Sequence, residues 1–484
     1  MPPGEGARAS WVWDIAPSNR CYSAPNSPVG YLAAKQERRM TQPEKPPATP
    51  PPDLLAERAT SGDVLLLCFL TLLNVLNFVD RQLLASFANF IVPDLGLSNT
   101  EFGLLTGFAF IVFYAVMGLF MGALADRLHR PRLIAAGLAL WSLLTAASGA
   151  ARNFATLAVP RMLIGVGESA LTPASMSLIT DRFPSRLLGF AAGFYYMGVP
   201  IGVGCSLLVA GYLGPAIGWR NCFYLLGAVG LVLAVVLLFV KEVPRRGLAT
   251  GTAPPRQSFG EMVRVTAKAL RSSPALLYTI AGGVALHFVL GAAAFDQLWF
   301  VQERGFDRVF IAQASGWIGM VGGIMGNLFG GAGSDWFMRR FNQGRPMFLF
   351  WLGIVFAPVG FVYRLAPGGS FWFWLGLFLG FFQLGTFYGP TFSTVQELVP
   401  TRIRATVVAF YILMLNLVGL GIGITGGGIM VDALIARGVP EPYTKTLLTF
   451  TVISASAMVF FFLAGRSYHR DKERLEAEWA SGRG

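Results

Sequence analysis

Two groups of ionisable residues stand where a chain this apolar should carry none. Residues 73–87 read LNVLNFVDRQLLASF, which sets Asp80 beside Arg81 and behind Asn74 and Asn77, in an apolar run from near Asp63 to about Val92. A second run carries Arg161, Gly165, Glu168, Thr172 and Ser175 at intervals of 4, 3, 4 and 3, the spacing of one helical stripe. A buried carboxylate beside a guanidinium can act as a proton switch, because neutralising the acid releases the arginine and changes which state is favoured. The arginine can grip a phosphate or carboxylate through two parallel bonds.

Such groups need elements that keep them out of lipid, since a charge at mid-membrane costs about 2.5 to 3.5 kcal/mol even on insertion scales. The 484 residues are 54% hydrophobic and 13% charged, with a mean hydropathy of +0.56, far from the roughly 25% charge of a soluble domain. Apolar windows recur near 64–88, 102–124, 132–150, 155–179, 187–213, 221–240, 274–300, 310–332, 346–365, 371–394, 404–430 and 445–465. Each suits a helix crossing a ~30 Å hydrocarbon core, and their unbroken apolarity excludes barrel strands. At ~1.5 Å per residue Asp80 lies about 24 Å along the first span and Arg161 about 10 Å into the fourth, hence at one level. The expected arrangement is Asp80 facing Arg161, with Glu168 available to Arg81 or water.

Arg and Lys cluster in alternate loops, at Arg127, Arg130 and Arg132, Arg182 and Arg186, Arg339, Arg340 and Arg345, and Arg402 and Arg404. The positive-inside rule then puts both termini and the middle loop in the cytoplasm, in a bacterial inner membrane. The net charge of +12 fits attraction to anionic membrane lipids and not nucleic acid, since no recognition motif accompanies it. Cys21, Cys68, Cys205 and Cys222 have neither metal nor redox spacing, so free thiols are expected, with no metal or cofactor. Residues 1–60 are proline-rich and expected to be disordered, and Met40 is an alternative start. No phosphate-binding loop, dinucleotide loop or nucleophile motif occurs, so the chain reads as no enzyme.

The chain repeats itself. DRFPSRLLGFAAGFYYM (181–197) aligns without a gap to ELVPTRIRATVVAFYIL (397–413), and GALADRLHRPR (122–132) to GAGSDWFMRRF (331–341), matching Asp126 with Asp335 and Arg130 with Arg339. Two six-helix halves joined by a cytoplasmic loop, with this signature after the second span, resemble the major facilitator superfamily. Gly122, Asp126, Arg127, Arg130 and Arg132 fit its loop motif, except that His129 replaces a glycine. The resemblance implies an all-α integral membrane fold of twelve transmembrane helices in two pseudo-symmetric bundles. Its expected segments are a tail at 1–60, a bundle at 61–241, a cytoplasmic linker at 242–273, a second bundle at 274–466 and a tail at 467–484. Spans one and seven, four and ten, and five and eleven are expected to line a central cavity. An interhelical latch is expected at Gly122, Asp126, Arg127, Arg130, Asp335 and Arg339.

NFVDR (77–81), RMLIGVGESALTP (161–173), FYYMGVPIGVG (194–204), GWR (218–220) and KEVPRRG (241–247) look specifically like the Spinster group. That resemblance implies proton coupling at Asp80 and Glu168 and export of a lysolipid or sphingoid phosphate. Candidate substrate or gating residues are Arg81, Arg161, Asn77, Tyr195, Gln383, Tyr388, Tyr411 and Asn416. The second half is mostly uncharged and aromatic, which suits an apolar substrate portion. His287 is expected to be a hydrogen-bonded packing residue, and Asp296 to lie near a mouth. The expected function is proton-coupled transport of an amphiphilic or lipid-like anion by a monomer. Alternatives are an organic-anion symporter for a small carboxylate and a receptor that binds without transporting.

Overall fold

The structure, a computed structural model, describes residues 60–125, 127–184, 187–243, 259–400 and 403–480. The proline-rich stretch with Cys21 and Met40, most of the basic linker, Asp126, Arg186 and Arg402 lie outside them. Among the described residues, twelve helices are long and apolar enough to cross a membrane. They are α1 Ser61–Ser86, α2 Asn99–Gly122, α3 Arg130–Gly149, α4 Phe154–Arg182, α5 Leu188–Ile217 and α6 Trp219–Leu238 in the first half. In the second they are α7 Pro274–Gln302, α8 Arg308–Phe341, α9 Arg345–Leu365, α10 Phe371–Glu397, α11 Thr406–Ala436 and α12 Pro442–Ala477. No strand occurs among the described residues.

Local chemistry sets the helix starts. Thr60 with Asp63, Ser98 with Glu101 and Asn153 with Thr156 close capping boxes on α1, α2 and α4, each satisfying donors that the first turn leaves orphaned. Because the helices alternate in direction, α1 starts and α12 ends on one side, called here the terminal face. The opposite side is the distal face.

Packing repeats between the halves. α1 packs on α5 as α7 does on α11, α2 on α4 as α8 on α10, and α3 on α6 as α9 on α12. The halves join along two seams, α2 with α11 and α5 with α8, which a two-fold exchange of the halves interchanges. Both seams lie toward the distal face. There Asn89 donates to the Gln297 carbonyl at 2.7 Å, Gln313 to that of Gly211 at 2.9 Å, and Asp432 accepts from Asn99 and Thr100. Glycine allows the approach: a Cβ on Gly204 would fall 2.7 Å from that of Met320. The hydrogen bonds described between the halves lie at this distal end.

On the terminal face an arginine clasps helix ends within each half. Arg130, fully buried, bonds the Asp181 carboxylate, Glu242 at 2.8 Å and the Val243 carbonyl at 2.6 Å, tying α3 to the ends of α4 and α6. Arg345 bonds Asp335 at 2.8 Å and the Glu397 carboxylate, which also accepts from Tyr468. Arg130 and Arg345 each open a helix with proline next in chain. The structural counterpart of Arg130 is therefore Arg345, while Arg339, its match in the ungapped alignment, is exposed.

In the segment expected as a tail at 467–484, the helix of α12 continues to Ala480. Asp471 explains this, accepting at 3.0 Å from Ser273 and at 2.8 Å from the Ala275 N–H, which caps the start of α7.

Burial raises the Glu242 carboxyl, but bonds from the Arg130 side chain and backbone outweigh it and hold it below its ordinary value of 4.5. A lowered acid contributes stability above its unfolded value, and that contribution is lost as pH falls through the folded one. Glu242→Gln should lower the melting temperature in detergent by about 1 to 4 °C at neutral pH. The gap from the native protein should close on acidification below about pH 4.5. A gap independent of pH would show that the charge plays no part in the clasp.

Candidate functional site

The greasy first span keeps its polar residues by turning them onto α3, α4 and α5. Asn74, buried, donates to the Tyr195 carbonyl of α5 at 2.9 Å. One turn on, Asn77 points its amide toward Glu168 without completing a hydrogen bond. Asp80 accepts from the Trp141 indole of α3 at 3.1 Å through one oxygen, and its other oxygen has no protein partner.

Arg81 turns the other way. Its Nε and Nη2 both donate to Glu168 Oε2 at 3.3 Å, and its guanidinium lies 5.0 Å from the Phe78 and Phe110 rings and 4.3 Å from that of Tyr114. Three aromatic faces around a cation supply attraction that needs no hydrogen bond. The Arg81 side chain remains 20% exposed, against 0% for Glu168, so the arginine is the part of the pair that a ligand can reach. Close packing of α4 on α2 puts Glu168 there. A Cβ on Gly165 would lie 2.7 Å from the Phe110 carbonyl oxygen, so only glycine lets the helices meet at this separation.

The level deduced from helix rise is met, but the pairing is different. Arg161 does not bond the Asp80 carboxylate; it donates to the backbone carbonyls of Asp80 at 3.3 Å and Arg81 at 2.6 Å. A carbonyl oxygen has a second lone pair beyond its helical bond, and two such oxygens on successive residues suit a planar guanidinium. Arg161 is 4% exposed and thus held as a structural tie, not free to grip a substrate.

In the second half Tyr388 is half-buried, and its hydroxyl lies 3.3 Å from His287 Nε2. His287 Nδ1 donates to the Gly283 carbonyl at 2.8 Å, leaving Nε2 to accept from Tyr388. The Tyr388 hydroxyl also lies within electrostatic reach of Arg81, across the space between the halves. Gln383 and Asn416 are half-buried on α10 and α11, Asn416 donating to the Ile412 carbonyl of its own helix at 2.8 Å. Tyr195 and Tyr411 are both fully buried within their own halves. Asp296 pairs with Arg364 at 2.7 Å inside the second half.

Of the expected latch, Arg130 and Asp335 work within a half, no hydrogen bond among the described residues joins Gly122 or Arg127 to the other half, and Asp126 lies outside them. Sequence reasoning missed Trp141, Tyr114, Phe110 and Phe78. The signal for the first was indirect, since a buried acid needs a donor and α3 offers an indole at mid-helix.

This arrangement has relatives. A sequence model of the Major Facilitator Superfamily matches residues 70–424. The chain belongs to the major facilitator superfamily. Like other members of this superfamily it is a transporter and not an enzyme. It is 29% identical over 415 residues to an MFS-type efflux pump of Mycolicibacterium smegmatis, covering 83% of this chain and 92% of that one. It is 26% identical to the Drosophila melanogaster protein spinster over 77% of this chain and 63% of that one. It is 29% identical to a Bacillus subtilis hexuronate transporter over 56% and 64% respectively. A bacterial homologue of the human lysosomal transporter Spinster, solved inward-facing and unoccupied, superposes with a TM-score of 0.72 at 24% identity, over 86% of this chain and 99% of that one. The superfamily and the Spinster likeness agree with the resemblance carried by NFVDR and RMLIGVGESALTP.

The carbonyl tie can be tested apart from transport. Arg161→Lys keeps the charge, but a compact ammonium cannot span both oxygens, so stability should fall by roughly 1.5 to 3 kcal/mol for a lost charged hydrogen bond. Denaturation in detergent measures this. A lysine variant as stable as the native protein would remove the tie's importance.

Proposed function

We propose that this transporter moves an amphiphilic, lipid-like anion by alternating access, coupled to protons at Asp80 and Glu168. The observation that carries the reading is the placement of Arg81. It is a caged cation, partly exposed and paired with a fully buried acid, with the Tyr388 hydroxyl of the opposite half within electrostatic reach. An anionic head group arriving at Arg81 competes with Glu168 for the same donors. A proton on Glu168 weakens its hold, so proton and substrate occupancy become linked. Beyond the head group, the half-buried Phe392 continues the wall formed by Tyr388, which offers an acyl chain contact and a polyol few partners.

The loop charges support an inner-membrane orientation with both termini cytoplasmic, which puts the bonded distal seams on the opposite side. A single chain supplies both halves of the cavity, consistent with a monomer. The hexuronate transporter among the relatives favours one rival, a small carboxylate gripped by Arg81 without a tail.

Two measurements separate these. Reconstituted Glu168→Gln should lose uptake driven by a pH gradient while expressing and folding normally, because the neutral isostere opens no cavity. Full gradient-driven uptake by this variant would move the proton site elsewhere. Thermal-shift titration with dodecyl phosphate and with methyl phosphate should show the tail raising affinity at least about tenfold, given about 0.8 kcal/mol per buried methylene. Equal affinities would favour the small-anion symporter, and binding without flux in proteoliposomes would favour a receptor.

A further inference from the structure

The most complete polar contact between the halves lies far from the Arg81 site, where α11 ends beside the start of α2. Asp432 Oδ1 accepts from the Asn99 backbone N–H at 3.1 Å and its side-chain amide at 2.9 Å. Oδ2 accepts from the Thr100 N–H at 2.7 Å and its hydroxyl at 2.6 Å. The capping box of α2 cannot do this work, because Ser98 reaches only the Glu101 N–H. The first two amides of α2 therefore find their acceptor in the other half. Asn99 in turn accepts from the Tyr443 hydroxyl of α12 at 2.8 Å, so three helices meet at one point.

We infer that Asp432 is the distal latch of the transport cycle, stabilising the distal-closed state by capping the N-terminus of α2. The inference rests on the alternating-access reading above. A carboxylate at a helix N-terminus meets both the orphaned N–H groups and the positive end of the helix dipole, and here the four donors fill both its oxygens. Beneath it the backbones are already in contact: a Cβ on Gly428 would fall 2.2 Å from the Asn99 carbonyl oxygen, and one on Gly107 2.8 Å from Thr425 Oγ1. The carboxylate thus sits at the outer end of a seam that separates as a unit when the distal side opens. In that state the same amides and carboxylate return to water. The bonds favour one state over the other, which is what a latch requires. The ion pair of Asp94 with Arg220 on the same face stays within the first half and cannot discriminate in this way.

The test uses the full chain with its native cysteines replaced, spin labels at Arg152→Cys and Arg437→Cys on the distal face, and distances read by double electron–electron resonance. Asp432→Ala should enlarge a long-distance, distal-open component by roughly tenfold relative to the closed one. Asp432→Asn, which keeps the shape, should shift it in the same direction. Asp94→Asn should leave the distribution unchanged. Native-like distributions in both Asp432 variants would overturn the latch, as would an equal shift from Asp94→Asn. The labelled parent with dodecyl phosphate reports on the cycle itself. A distal-open component there, with none added by either Asp432 variant, rejects the latch alone; no second component in any sample rejects the cycle beneath it.

Discussion

Arg161 donating to the carbonyls of Asp80 and Arg81 is the constraint from which the central site follows. In the membrane interior a guanidinium has no water to fall back on, so its two terminal nitrogens turn to the backbone oxygens that the neighbouring helix presents. Backbone oxygens do not titrate. A tie made to them holds α4 against α1 whatever the protonation of the nearby acids, and it keeps Glu168 two turns along on a rigid support opposite Arg81. Had Arg161 paired with the Asp80 carboxylate, each protonation event would have loosened the helix contact that positions the other acid. Framework and moving parts are thus kept on different kinds of acceptor.

The same division recurs at larger scale. Within each half the terminal clasps of Arg130 and Arg345 use several bonds each and lock helix ends together, so each bundle can move as a body. Between the halves the seams rely on close glycine approach, with the hydrogen bonds gathered at the distal end. Such interfaces have discrete packed arrangements and little in between, which suits rocking between two states.

Much of this was legible in the sequence. The twelve spans follow from continuous apolar runs, and the level shared by Asp80 and Arg161 from helix rise alone. The pairing was not, because side-chain patterns do not display backbone acceptors, and a carboxylate beside an arginine invites the obvious match. The Arg130–Arg339 alignment failed for a similar reason, since α8 stays helical to Phe341 and so moves the clasp residue to Arg345, which an ungapped comparison cannot follow. The helical tail to Ala480 escaped notice because its charges resemble a solvated end, while Asp471 is in fact buried against α7. Asp432 had no partner in its own stretch of chain, and its donors lie more than three hundred residues earlier.

The aromatic cage around Arg81 has a kinetic consequence. An arginine stripped of its only carboxylate in a low-dielectric site would ordinarily sit on a steep free-energy ridge, and a step that crossed such a ridge would be slow in both directions. Phe78, Phe110 and Tyr114 surround the cation whether or not Glu168 is charged, because their attraction comes from ring quadrupoles that carry no proton. The rings therefore flatten the path between the paired and released arginine. On the proposed cycle, a flattened path would let turnover be governed by the movement of the bundles and not by the breaking of one ion pair.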